Sequence, residues 1–336
     1  MNKIEWIENL RVLATLSVIT LHVAAPGTYN IQTVPFTDWW ISAIFESLRF
    51  CVPVFVMITG ALLLNKDYET SVFLKKKLVH ILYPFLLYSL IYICFSYNLK
   101  RLITEQNFID FLKHCFYSLK NGSYYHLWYI YMLIGLYIMT PIIRSYVKSA
   151  NKKNIKYFLF LWLIYNFIKG YALNDLFPNL YFPVAIDYLG YFILGHYLYK
   201  YPIDKRKLGF AMFVIGTLSS FLIIFYFGYT KNEMRDLYFG YNTLNVVIQS
   251  IGAYLWIYNS KIRNPLATKF RDILSQHSYS IYLAHALVLT IMINNRFTWN
   301  IVNPVVGIIS SVLFCTTATL VACIILKKIP VIGKFF

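Results

Sequence analysis

The 336-residue chain is 59% hydrophobic and only 13% charged, against roughly 45–50% and about 25% in soluble domains. That composition excludes an ordinary soluble fold. The net charge of +17 does not point to nucleic acid, because its Lys and Arg residues collect in the joins between apolar runs as they do in membrane proteins. The five cysteines form no disulfide framework, since Cys51, Cys94, Cys315 and Cys323 lie in apolar runs and leave Cys115 alone in a polar join.

The first apolar run, 8–27, reads ENLRVLATLSVITLHVAAPG and carries Arg11 and His22, eleven residues apart. Eleven steps of about 100° return a helix to within about 20° of its starting direction, so the two share a face some 16 Å apart along the axis. Thr15 and Val18 lie near the same stripe. A cleaved secretory leader would also begin basic and end in small residues. Ionisable groups in its core and the uniformly apolar remainder of the chain argue against one.

Nine further runs approach or reach spanning length, about 17–25 residues. The second, 38–64, is long enough to tilt or kink and contains Pro53. Glu46 and Arg49 lie three apart in it and can pair, and Arg49 falls at a depth comparable with that of His22. The third, 79–98, follows the basic stretch Lys75 to His80, and the join 99–125 holds an amphipathic stretch, EQNFIDFLKHCFYSLK. The fourth, 126–146, opens on His126 and Trp128 in SYYHLWYIYM, a pattern that suits either an interfacial aromatic belt or an acceptor entrance. The fifth and sixth are 156–173 and 182–199, the latter with Asp187 at membrane depth. The seventh and eighth, 208–228 and 239–258, are followed by 277–294 and 303–326. In the ninth run Ser278, Tyr282 and His285 are spaced four and three apart on one helical face.

These runs predict an all-α integral membrane protein of about ten transmembrane helices, one domain over 1–336. If the N-terminus is cytoplasmic, the inner joins hold roughly three times the Lys and Arg of the outer ones. Every inner join is basic, while two outer joins carry neither residue. Both termini are therefore expected in the cytoplasm. Ionisable groups on several spans imply an internal polar cavity, because such groups are costly in lipid.

Several of these segments resemble the acyltransferase-3 family of bacterial membrane O-acyltransferases. That family places an acidic residue three before an arginine, then ten residues and a histidine, here Glu8, Arg11 and His22. Glu8 stands where the family more often has Asp. RFCVPVFVMITGALLL resembles its Arg-x-x-Val-Pro-x-Phe segment, with Thr59-Gly60 in place of Ser-Gly. HLWYIYMLIGLYIMTP and SYSIYLAHA match later segments, and order and spacing agree across nearly the whole chain.

The resemblance implies an O-acyltransferase of the bacterial cytoplasmic (inner) membrane. It would take acetyl or another acyl group from cytoplasmic acyl-CoA to a hydroxyl of a surface polysaccharide or its lipid-linked precursor. The chemistry needs a base and positive charge near the developing oxyanion. His22 would be the base, with Arg11, Arg49 and Glu46 completing the catalytic set. Ser278, Tyr282 and His285 would line the donor cavity, and His126, Trp128 and Asp187 the acceptor side. No permanent cofactor, metal or nucleic acid is expected, the partners being acyl-CoA, a glycan and the bilayer. The competing class is a polytopic exporter of a glycan or lipid-linked intermediate. Two similar halves with matching broken spans would favour it, and the sequence carries neither.

Overall fold

The computed structural model describes residues 4–96, 108–170, 186–231 and 239–329. Within them the regular structure is helical: α1 (Glu5–Tyr29), α2 (Phe36–Glu46), α3 (Cys51–Leu63), α4 (Thr70–Ser96), α5 (Phe108–Asn121) and α6 (Trp128–Ser149), then α7 (Lys152–Gly170), α8 (Ile186–Lys200), α9 (Arg206–Lys231), α10 (Leu244–Ile257), α11 (Pro265–Asn294) and α12 (Pro304–Lys327).

Six of these segments are long and apolar enough to cross a bilayer: α1, α2 with α3, α4, α6, α9 and α12. The expected ten are not reached by this measure, for local reasons. Helix α7 opens on Lys152, Lys153 and Lys156, α10 is short, and the apolar half of α11 is interrupted by His277, Ser278, Ser280 and His285. The described part of α8 begins at Ile186, so 182–185 of the expected sixth span lie outside the described residues, as do 171–173, 97–98 and the start of the amphipathic stretch.

Two helices start earlier than hydropathy implies. Helix α11 begins at Pro265, not 277, because Asn264 caps it. The Asn264 side chain accepts from the N–H groups of Leu266 and Ala267, and Pro265 fills the first helical position. Asn303 and Pro304 repeat this device at α12. Helix α4 begins at Thr70, so Lys75–Lys77 lie on a helix and not in a join.

The expected second span is two helices. The chain leaves helical form between Glu46 and Cys51, upstream of Pro53, which sits in the first turn of α3 where its missing N–H breaks no bond. The Ser47 carbonyl, which an unbroken helix would give to residue 51, accepts instead from Gln249 Nε2 of α10 at 3.0 Å. Beyond the break, Gly60 and Gly195 let α3 and α8 touch backbone to backbone. A Cβ on Gly60 would lie 1.8 Å from the Phe192 carbonyl oxygen, and one on Gly195 2.0 Å from that of Met57.

Helix α1 sits at the centre, packed against α2, α3, α10, α11 and α12. Leu10, Ala14, Val18 and Leu21 join the main core, while Ile19, Val23 and Ala24 pack into a second core with α11 and α12. The periphery shows the opposite pattern. Leu218, Leu222 and Tyr226 on α9, and Leu313, Val321 and Ile325 on α12, are exposed stripes that suit lipid and would be a liability in water.

The charge bias makes the orientation testable. In a cysteine-free background, a cysteine at Asp67 should label with a membrane-impermeant maleimide only after permeabilisation, and one at Asn121 in intact cells. Labelling of the Asp67 position from outside would reverse the assignment.

Candidate active site

Two contacts align α1 with α11. Near one end Arg11 Nη1 donates to Glu8 Oε2 at 3.0 Å and to Ser275 Oγ at 3.3 Å, while the Ser275 hydroxyl donates to the same Glu8 oxygen. Farther along, the His22 and His285 rings stack with centroids 5.3 Å apart and planes at 24°. From Arg11 to His22 and from Ser275 to His285 the two helices advance almost equally, so they run parallel and in register. The face inferred from the Arg11–His22 spacing is therefore met by a matching stripe on α11.

A third imidazole closes the outer group. His126, in the turn before α6, lies 5.0 Å from His285 and 6.4 Å from His22, centroid to centroid. Its segment is held by aromatic contacts. The Tyr282 hydroxyl donates to the His126 carbonyl. Tyr124 stacks on Tyr92 at 4.3 Å, and Tyr125 meets His22 edge-on at 4.9 Å. His285 Nδ1 is 2.7 Å from the Tyr282 carbonyl. A carbonyl only accepts, so Nδ1 carries the hydrogen and Nε2 is left as an acceptor. That Nε2, and both ring nitrogens of His126, are buried without hydrogen-bond partners among the described residues. Such groups are expensive unless something polar uses them. Among the described residues no trio of His, Cys, Asp or Glu is placed to hold a metal ion.

A cavity of about 320 Å³ lies at the Arg11 end. Arg11, His80, Ser275, Gln276 and Ser278 provide its polar wall, and Tyr129, Tyr137, Tyr279 and Tyr282 its aromatic one, with Phe55 and Thr59 from α3. His80 enters directly behind the basic triplet of α4. Of the expected donor-side residues, Ser278 and Tyr282 line this cavity, while His285 belongs to the imidazole group.

Arg49 occupies the break between α2 and α3. It is 6% exposed and donates to Glu46 Oε1 at 2.5 Å and to the Tyr29 hydroxyl at 2.6 Å, with its guanidinium 4.5 Å from the Phe239 ring centre. The expected Glu46 pairing is present, across a helix end and not along a helical face. Arg49 meets α1 at Tyr29, two turns beyond His22, although helical side chains lean toward the N-terminus and bring that hydroxyl back toward the histidine.

Trp128 does not join His126. It packs against Tyr188 and Tyr241 at 5.8 and 5.7 Å, and Tyr241 lies 5.8 Å from Arg49. Asp187 is buried in the first turn of α8, its carbonyl accepting from Trp162 Nε1 at 2.9 Å.

The model of the acyltransferase-3 type, described as an acyltransferase domain, matches residues 4–327. The chain belongs to the acyltransferase-3 family. It is thus a membrane acyltransferase in the general sense of that family, with the matched region covering both the cavity and the imidazole group. No curated protein and no solved structure matches the chain significantly.

In this acyltransferase, sequence reasoning missed Ser275, Tyr279 and Gln249. Ser275 continues the Ser278, Tyr282, His285 stripe by three residues and was legible in principle. Gln249 reads as an ordinary polar residue on an apolar helix until the broken span beside it is known.

Arg49→Lys keeps the charge but loses the planar fork that reaches Glu46 and Tyr29 together. Losing one charge-assisted bond should lower acyl transfer by about 10-fold or more, at normal protein level in membranes. Near-normal turnover would remove Arg49 from the catalytic set.

Proposed function

We propose that this protein carries a short acyl group, acetyl by preference, from acyl-CoA at the cytoplasmic side of a bacterial inner membrane to a hydroxyl of a surface polysaccharide or its lipid-linked precursor. The motif order resembles that of the enzyme that O-acetylates enterobacterial common antigen, which favours a surface glycan as the acceptor class. The observation that carries the reading is the parallel α1–α11 pair, with the cavity that Arg11 lines at one end and three imidazoles at the other.

Arg11 is tied to Glu8 and Ser275 and is about one quarter exposed at its side chain, so it keeps N–H groups for an anionic donor. The basic start of α4, leading to His80 in the cavity wall, favours CoA phosphates in the same place. His22 takes the proton of the acceptor hydroxyl. The oxygen attacks the thioester carbonyl carbon, the C–S bond breaks, and the departing thiolate recovers the proton from the imidazolium. The products are an ester and a free thiol. Arg49 lends positive charge from the acceptor side as negative charge builds on the carbonyl oxygen.

Purified variants separate these roles. His22→Ala should lose about 10²–10⁴-fold in transfer rate while remaining folded. Arg11→Ala should bind acyl-CoA more weakly as well. Transfer that survives loss of the His22 imidazole would end the base assignment, and unchanged CoA affinity in Arg11→Ala would end the donor assignment.

A further inference from the structure

The lining of the donor cavity reaches Tyr282 but includes none of the three histidines of the imidazole group. Between them is a crevice bounded by Thr15, Val18 and Ile19 of α1, Ile281, Tyr282 and His285 of α11, and Phe55 of α3. It is too narrow for a water molecule. Phe55 and Tyr282 line both the cavity and the crevice, and so form the wall between them.

The two side chains are held differently. Tyr282 is 8% exposed, its hydroxyl is tied to the His126 carbonyl, and its ring sits edge-on to Tyr129 at 5.3 Å and to His126 at 5.4 Å. Phe55 is half-buried, has no polar tether, and its nearest aromatic contact is looser, with Tyr129 at 6.4 Å. Tyr282 is therefore the fixed jamb and Phe55 the side able to yield.

We infer that Phe55 and Tyr282, with Val18 behind them, form an acyl-size filter that admits only a very short acyl group to the histidines. The inference rests on the acyl-CoA reading above and deepens it by setting the donor class. With the reacting carbonyl beside His285, which lines the crevice and stacks on His22, the acyl tail lies in the crevice. Val18, Ile19 and Ile281 close it from the aliphatic side and Phe55 and Tyr282 from the aromatic one, so a methyl fits after a small rotation of Phe55, whereas each added methylene overpacks it. One methylene too many in such a pocket costs about 10–200-fold in discrimination.

The test is the ratio of kcat/KM values for acetyl-, propionyl-, butyryl- and hexanoyl-CoA, measured on the full-length protein in membranes. The unaltered protein should favour acetyl over butyryl by about 100-fold or more. Phe55→Ala and Val18→Ala should each move that ratio toward butyryl by at least about 10-fold, and Val18→Phe should move it the other way. Two independent positions, and opposite expected signs for the two substitutions at Val18, keep the test decisive if one variant is poorly produced. A chain-length profile unmoved by Phe55→Ala and Val18→Ala overturns the filter while leaving the acyltransferase reading standing. A protein that transfers no acyl group from any acyl-CoA overturns the parent reading instead.

Discussion

A charge or an imidazole placed at membrane depth has to be satisfied by protein, because hydrocarbon offers no partner. Arg11 and Arg49 impose that demand on the rest of the fold. Arg11 is answered by Glu8 one turn back on its own helix and by Ser275 on the next. Arg49 is answered by Glu46, Tyr29 and the face of Phe239. Helix α1, which carries Arg11, His22 and Tyr29, is consequently the central helix, with neighbours on most sides. A lipid-facing position would leave those groups no protein to meet.

The broken second span answers the same demand in a different way. Opening the backbone in a membrane exposes carbonyl and N–H groups that need new partners. Gln249 takes the Ser47 carbonyl and also bonds Thr217 of α9 at 2.8 Å, which ties the break to two other helices. The break frees Arg49 to turn toward α1, and it starts α3 afresh at an angle that carries Gly60 onto the α8 backbone. The Thr59-Gly60 pair then divides its work. Gly60 permits the close approach, and Thr59 faces the cavity with its hydroxyl bonded to the Phe55 carbonyl at 2.8 Å.

What could be read from the sequence was what helical periodicity reports. The shared face of Arg11 and His22, the Glu46–Arg49 pair and the Ser278–Tyr282–His285 stripe are each local to one segment, and each is present. Meetings between distant segments were not legible. His126 is more than a hundred residues from His22 and reaches it only because Tyr92, Tyr124 and Tyr282 clamp its turn. Trp128 is close to His126 in sequence, yet His126 stands in the turn before α6 and Trp128 is the first residue of that helix, and the two side chains meet different neighbours. The early start of α11 was hidden because a capped, charged helical turn carries no hydropathy signal. The break at 47–50 carries no sequence signal of its own, and Pro53, the residue in this span that suggests a kink, only sits in the first turn of the new helix.

On the acyl-CoA reading proposed above, a track that crosses a membrane has a further difficulty, which the wall of Phe55 and Tyr282 would resolve. If the cavity ran openly to the histidines, water would reach the thioester beside a base suited to activate it, and hydrolysis would compete with transfer. Excluding water is a general condition of efficient group transfer. A permanent seal would defeat transfer as well, so the partition has to be tight to water at rest yet movable by one side chain. Phe55 meets that need, because its side chain is apolar and makes no hydrogen bond, so that rotating the ring strands no polar group. Tyr282 could not take the same part without giving up its bond to the His126 carbonyl and loosening the turn that holds the third imidazole. The asymmetry of the wall thus protects the geometry of the histidines while leaving one side able to open.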